Sequence, residues 1–127
     1  MKPLRVLVID DESVICEACR LVLGEKGHGV DRCLTGKDGL LAIERGRYDI
    51  ILLDMKLPDI DGTEILKAVR EKASAPSVIV MTGYSTMSNA LQAMKLGAAD
   101  YLAKPFTDDE LVGAIEKLFA YEDSRYG

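Results

Sequence analysis

The 127-residue chain carries 16 lysines and arginines against 21 acids, a net charge of −5, with 48% hydrophobic and 29% charged residues. That length and composition fit one compact domain with its own hydrophobic core, and they argue against disorder. The acidic balance offers no general footprint for nucleic acid or an anionic membrane, and with no Trp any base stacking would fall to Tyr or Phe.

In chain order, Leu4–Ile9 is a short run rich in β-branched residues that ends abruptly in Asp10-Asp11, and it reads as a strand. Glu12 to Lys26 places Val14, Ala18, Leu21 and Val22 at helical spacing, and Gly27-His28-Gly29 stops it. Val30 to Leu34 is a weaker strand, and Gly36 to Arg45 a short helix. Tyr48 to Leu53 is a strand broken only by Asp49 and closed by Asp54. After the Pro58-Asp59 turn, Asp61 is placed to cap a helix to about Lys72, with Glu64 completing a capping box and Ile60 against Ile65 as its staple. Ser77 to Met81 is a strand ending at Thr82, followed by a helix from Ser85 or Thr86 to Gly97. Ala99 to Ala103 is a short strand ending at Lys104-Pro105. Thr107 and Glu110 form a second capping box, stapled by Phe106 and Leu111, for a last helix to about Tyr121, and a polar tail follows.

Five strands alternating with five helices define an α/β domain. Strands apolar throughout are buried on both faces, so a parallel sheet with helices on each side is expected. Residues 1–122 read as one domain and 123–127 as a tail or the start of a linker. Met1-Lys2-Pro3 leads into a run too short for a signal core, and no stretch is apolar and long enough to span a bilayer, so a cytoplasmic location is expected. Three cysteines suit a reducing compartment. Cys16 and Cys19 form a C-x-x-C inside a helical pattern without a second pair, so they read as small buried thiols and not a metal or redox site. His28, between two glycines, reads as a solvated loop residue.

Ligands of open α/β sheets bind beyond the carboxyl ends of the strands. Strand one ends in Asp10 and Asp11, strand three in Asp54, strand four in Thr82 and strand five in Lys104. With strands one, three and four central and five beside them, three carboxylates, a hydroxyl and an ammonium meet in one shallow pocket. Close carboxylates repel one another unless counter-charges are present. Lys104 offsets one charge, and a divalent cation would offset the other two. Hard oxygen donors favour magnesium, and the absence of His and Cys from the cluster argues against zinc. Such a pocket suits phosphoryl transfer, with Lys104, Thr82 and backbone N–H groups around the transferring oxygens. Asp54, alone on the central strand, is the expected nucleophile, which would give an acyl phosphate.

The ordered set Asp10-Asp11, Leu52-Leu53-Asp54, Pro58…Asp61-Gly62, Met81-Thr82-Gly83 and Lys104-Pro105-Phe106 resembles the receiver domain of bacterial two-component response regulators, chemotaxis regulators included. The resemblance runs from Leu4 to about Phe119. It implies a flavodoxin-like (βα)5 fold with strand order 2-1-3-4-5. It further implies that Asp54 is phosphorylated by a sensor histidine kinase, and that Asp10, Asp11, Asp54 and the Lys56 backbone carbonyl bind Mg2+. Lys104 would contact the phosphoryl group, and Lys104–Pro105 would be a cis peptide. Thr82 and Tyr101 would form a switch that remodels the surface of the fourth helix, fifth strand and fifth helix. The domain would then catalyse only its own phosphorylation and dephosphorylation. Met81-Thr82-Gly83-Tyr84-Ser85 with Gly97-Ala98-Ala99-Asp100-Tyr101-Leu102 further resembles receivers of nitrogen-regulation-type transcription activators.

Two other expectations concern tuning and partners. Lys56 and Tyr84, each two residues beyond a site residue, would restrict the hydrolytic water and slow self-dephosphorylation. Ser88, Asn89, Gln92 and Ala93 on the fourth helix are uncharged, which suits a homodimer or output-partner face. Two rival readings remain. One is an aspartate-nucleophile phosphatase of the haloacid dehalogenase type, which would carry Asp-x-Asp after its first strand where this chain has Asp-Asp. The other is a phosphorylation-independent binding module on the same fold.

Overall fold

The computed structural model describes residues 2–83 and 87–126. Its elements alternate along the chain: β1 Arg5–Ile9, α1 Ser13–Glu25, β2 Gly29–Cys33, α2 Gly36–Arg45, β3 Ile50–Asp54, α3 Gly62–Arg70, β4 Ser77–Thr82, α4 Met87–Lys95, β5 Asp100–Ala103 and α5 Asp108–Tyr126. The strands form one sheet in the order β2-β1-β3-β4-β5, and every neighbouring pair is parallel. This is the flavodoxin-like arrangement, with all strand carboxyl ends on the same edge.

Side-chain alternation along each strand divides the core in two. Val6, Val8, Ile50, Leu52, Ile79 and Met81 point to one face and pack on Cys16, Cys19 and Leu23 of α1 and on Leu111 and Ile115 of α5. Leu7, Ile9, Ile51, Leu53, Val78 and Val80 point to the other, against Ile43 of α2, Ile65, Leu66 and Val69 of α3, and Ala93 of α4. β3 is buried at all five positions, as a central strand covered on both sides must be. Each buried Ile or Leu contributes about 2 kcal/mol relative to exposure, so this strand is a firmly anchored support for Asp54.

The structure shifts several expected boundaries. β2 starts at Gly29 and ends at Cys33, one residue early, because its pairing with β1 sets Arg5 opposite Gly29. β3 begins at Ile50, since Asp49 turns its carboxylate onto the Arg5 N–H at 2.8 Å. α3 stops at Arg70, and the Lys72 N–H closes a turn on the Val69 carbonyl. Its cap is simpler than a capping box: Asp61 Oδ1 accepts from Thr63 N at 3.0 Å, and Glu64 reaches instead towards Lys67. The box on α5 forms in both directions, Thr107 N to Glu110 Oε1 at 3.0 Å and Glu110 N to Thr107 Oγ1 at 3.1 Å. α5 continues past Tyr121 to Tyr126, a stretch without Gly or Pro to end it. Gly27 and Gly97 take φ of +89° and +104°, the left-handed geometry that ends α1 and α4.

Two side chains differ from expectation. His28 is half-buried, and its Nδ1 accepts the Leu4 N–H at 3.0 Å, satisfying a backbone donor just before β1. Burial holds its pKa below the usual imidazole value. Ala93 faces inward and is buried, because α4 turns Ala90 and Ala93 towards the sheet. Ser88 and Gln92 are exposed as expected, and the outer face of α4 also carries the exposed Leu91 and Met94, while the side chain of Asn89 lies outside the described residues.

Candidate functional site

β1, β3, β4 and β5 deliver the polar residues to one edge of the sheet. Asp10 follows Ile9 directly and is fully buried; Asp54 is the last residue of β3 and Thr82 the last of β4, and both are buried. Lys104 follows β5, where its N–H bonds the Thr82 carbonyl at 2.8 Å. Asp11 is exposed at the mouth. Asp10, Asp11 and Asp54 each offer a carboxylate oxygen, and the three oxygens lie within 4.8 Å of one another.

Lys104 is the counter-charge. Its Nζ is 2.6 Å from Asp10 Oδ2, 3.5 Å from Asp54 Oδ2 and 3.2 Å from Glu12 Oε2. Burial alone would lower the ammonium's pKa, but the bond and charge of Asp10 and the charge of Asp54 outweigh it and hold Lys104 above its ordinary value. Burial pushes Asp10 up, and the negative charge of Asp54 adds to this, while Lys104 and the Glu12 N–H act against it. The sequence reading missed Glu12, which stands as a third acid immediately after Asp10-Asp11 and supplies a third contact to Lys104.

Backbone donors fix the two buried carboxylates. Asp10 Oδ1 accepts from Glu12 N at 2.9 Å, and Asp54 Oδ1 accepts from Lys56 N at 2.9 Å. The second oxygen of each faces Lys104. Asp10 Oδ2 is fully buried, and among the described residues the Lys104 ammonium at 2.6 Å is its one partner, which leaves a lone pair without a donor. A buried acceptor left short of partners, inside a cluster of hard oxygen donors, fits a divalent cation such as Mg2+.

The other expected residues lie around this centre. Lys56 is exposed in the loop after β3. Tyr101 stands on β5, 37% exposed. The Lys104–Pro105 peptide is cis. Tyr84 lies outside the described residues. Cys16 and Cys19 lie outside the carboxylate cluster: Cys16 Sγ donates to the Asp10 carbonyl at 3.4 Å, and burial pushes the thiols up to about 11 and about 12.

A parallel five-stranded sheet with an acidic trio and a lysine at its carboxyl edge defines a class, and sequence comparison agrees. Residues 6–116 match the response regulator receiver domain family, and the chain belongs to that family. It is 42% identical over 112 residues to the transcriptional regulatory protein DltR of Streptococcus agalactiae, covering 88% of this chain and 50% of that protein. It is 37% identical over 114 residues to the transcriptional regulatory protein PcoR of Escherichia coli, covering 90% of this chain and 50% of that protein. The chain thus spans about half the length of these curated relatives. Among solved structures, a CheY-like response regulator receiver domain protein from Methanospirillum hungatei superposes with a TM-score of 0.87 at 29% identity, over 98% of this chain and 99% of that one. The chain is therefore a signalling domain of the two-component type. Among the described residues no helix is long and apolar enough to cross a membrane.

Proposed function

We propose that Asp54 accepts a phosphoryl group from the phosphohistidine of a sensor histidine kinase. The observation that carries this reading is the meeting of Asp10, Asp11 and Asp54 within 4.8 Å beside the Lys104 ammonium. Asp54 Oδ1 is held by the Lys56 N–H, and the lone pair on an Asp54 oxygen attacks phosphorus. The P–O bond forms as the P–N bond breaks, and its electron pair returns to the imidazole. Mg2+, held by Asp10, Asp11, Asp54 and the Lys56 carbonyl, would supply charge neutralisation for the transferring oxygens. Lys104, already 3.5 Å from Asp54 Oδ2, pairs with a phosphoryl oxygen, and the Thr82 hydroxyl donates to another.

The same contacts make a switch. Drawing Thr82 towards the phosphoryl group vacates space behind it, and Tyr101, now half outside, turns in. This shifts a two-state population and remodels the α4–β5–α5 surface. Leu91, Met94 and Tyr101 are exposed there and suit a homodimer or output-partner face. The names of the relatives favour a transcriptional output. We read residues 1–122 as the receiver and 123–127 as a tail or linker start. The domain acts in the cytoplasm without touching nucleic acid or membrane, and its only catalysis is its own phosphorylation and dephosphorylation. Lys56 and Tyr84 slow the latter. Replacing both with alanine is expected to speed decay of the phosphorylated form, and an unchanged decay rate would remove that role.

Beryllofluoride tests the site itself. With magnesium present, fluorine NMR is expected to show a bound trifluoroberyllate signal for the wild type and none for Asp54→Asn, whose amide cannot replace the carboxylate. A bound signal of equal strength in both proteins would refute Asp54 as the acceptor.

A further inference from the structure

The loop of residues 55–61, between β3 and α3, links the carboxylate site to two helices. Within it the Lys56 N–H bonds Asp54 Oδ1, Lys56 and Asp61 form an isolated bridge, and the Gly62 N–H reaches the Met55 carbonyl at 3.4 Å. Asp61 caps α3, the helix that follows. Asp59 points the other way. Its Oδ1 accepts from Gly36 N at 2.9 Å and its Oδ2 from Lys37 N at 3.0 Å. These are the first two N–H groups of α2, donors that a helix start leaves without an internal partner. The two backbone bonds hold the Asp59 carboxyl below the usual carboxylate range.

α2 has its own cap: Thr35 Oγ1 accepts from Asp38 N at 3.1 Å. Asp59 is thus a second cap, brought from a different part of the chain. Ile60 adds a close contact, because a Cβ on Gly36 would lie 3.0 Å from Ile60 Cβ. α2 is itself seated on β1: a Cβ on Gly39 would lie 2.6 Å from Ile9 Cδ1, and Ile9 is the residue before Asp10. A continuous set of contacts therefore runs from Asp54 and Lys56 through Asp59 to α2, and from α2 to the strand that carries Asp10.

We propose that Asp59 is a positioning residue, which clamps the β3–α3 loop to α2 and so holds Asp54 and the Lys56 backbone at the distance from Asp10 that a divalent cation needs. The inference rests on the reading of this site as a magnesium-dependent phosphoacceptor. Outer contacts that orient metal ligands commonly change affinity by tenfold or more when removed.

Calorimetric titration of the full chain with magnesium chloride, alongside thermal melting, tests it. Asp59→Ala is expected to weaken magnesium binding about tenfold. Thr35→Ala removes a cap from the same helix end without touching the loop, and is expected to lower the melting temperature while leaving magnesium affinity unchanged. Asp59→Asn is expected to bind between Asp59→Ala and wild type, because its amide oxygen still accepts one of the two bonds. Wild-type affinity in Asp59→Ala, or an equal loss in Thr35→Ala, would overturn the proposal. If Asp59→Ala does not fold, Asp59→Asn decides, and binding equal to wild type overturns the clamp. Absence of magnesium binding by the wild type would overturn both this inference and the reading beneath it. Magnesium binding and Asp54 modification in the wild type, with no effect at Asp59, would overturn the clamp alone.

Discussion

Adding magnesium chloride to the metal-free domain is expected to stabilise it, by an amount set by the acidic trio. Carboxylate oxygens of Asp10, Asp11 and Asp54 lie within 4.8 Å of one another. At an effective dielectric constant near 20, two unit charges at that separation repel by about 3.5 kcal/mol. Asp11 is exposed and its share is screened, so the buried Asp10–Asp54 pair dominates. Lys104, at 2.6 and 3.5 Å from the two, offsets part of this repulsion with one positive charge. A bound cation relieves the remainder in the folded state only. Free magnesium at about 100 times its dissociation constant should then add about 2.7 kcal/mol. A domain of this length gains about 4 °C per kcal/mol, which predicts a rise of about 10 °C. Scanning calorimetry in magnesium chloride, against sodium chloride of matched ionic strength, reads the shift. Asp54→Asn should melt higher than wild type without magnesium, because one repelling charge is gone, and should gain less from magnesium. Equal midpoints in the two salts would refute the reasoning, as would an Asp10→Asn variant that shifts as much as wild type.

Other expectations follow from the same geometry. Lys104→Met leaves Asp10 buried without its counter-charge and should cost about 3 kcal/mol in urea unfolding where Asp10 is ionised. Because burial raises Asp10 above 3.8, the folded state binds its proton more readily than the unfolded chain, so stability falls as pH rises from 3.8 through the raised value. The Lys104→Met deficit should therefore shrink as pH is lowered, and a loss independent of pH would contradict it. Iodoacetamide should label the half-buried Cys33 before Cys16 or Cys19, whose thiols burial pushes up to about 11 and about 12. Peptide mapping that found Cys16 or Cys19 labelled first would refute their inertness. Gly62→Ala would place a Cβ 2.6 Å from Met55 Sδ and 2.8 Å from Met55 Cα, and should destabilise by about 1–3 kcal/mol. Unchanged stability in urea would contradict that close approach.

Much of this structure was readable in the residues, for identifiable reasons. Ile50–Leu53 and Val78–Met81 are continuous apolar runs, and only a strand buried on both faces accommodates them. Asp54, Thr82 and Lys104 were legible because each follows such a run, and a parallel sheet brings those ends together. α2 matches its expected limits, Gly36 to Arg45, and the structure adds the Thr35 cap at its start. What escaped depends on contacts between segments far apart in sequence. The His28 hydrogen bond to Leu4 spans 24 residues, and nothing local marks it. Asp59 reads as an ordinary turn residue until α2 is set beside it. Glu12 carries the right charge, but its contact with Lys104 spans 92 residues. Ala93 was misplaced because a small uncharged residue fits either face of a helix, and only the packing of α4 on the sheet decides.

The account turns on whether Asp54 takes up a phosphoryl group in this pocket. Intact-mass measurement after incubation with acetyl phosphate and magnesium chloride tests it most directly, on wild type and Asp54→Asn. The wild type is expected to gain the mass of a single phosphoryl group, to lose it under conditions that hydrolyse acyl phosphates, and to gain nothing when magnesium is chelated. Asp54→Asn is expected to stay unmodified throughout. An unmodified wild type, or an equal gain by Asp54→Asn, would contradict the account.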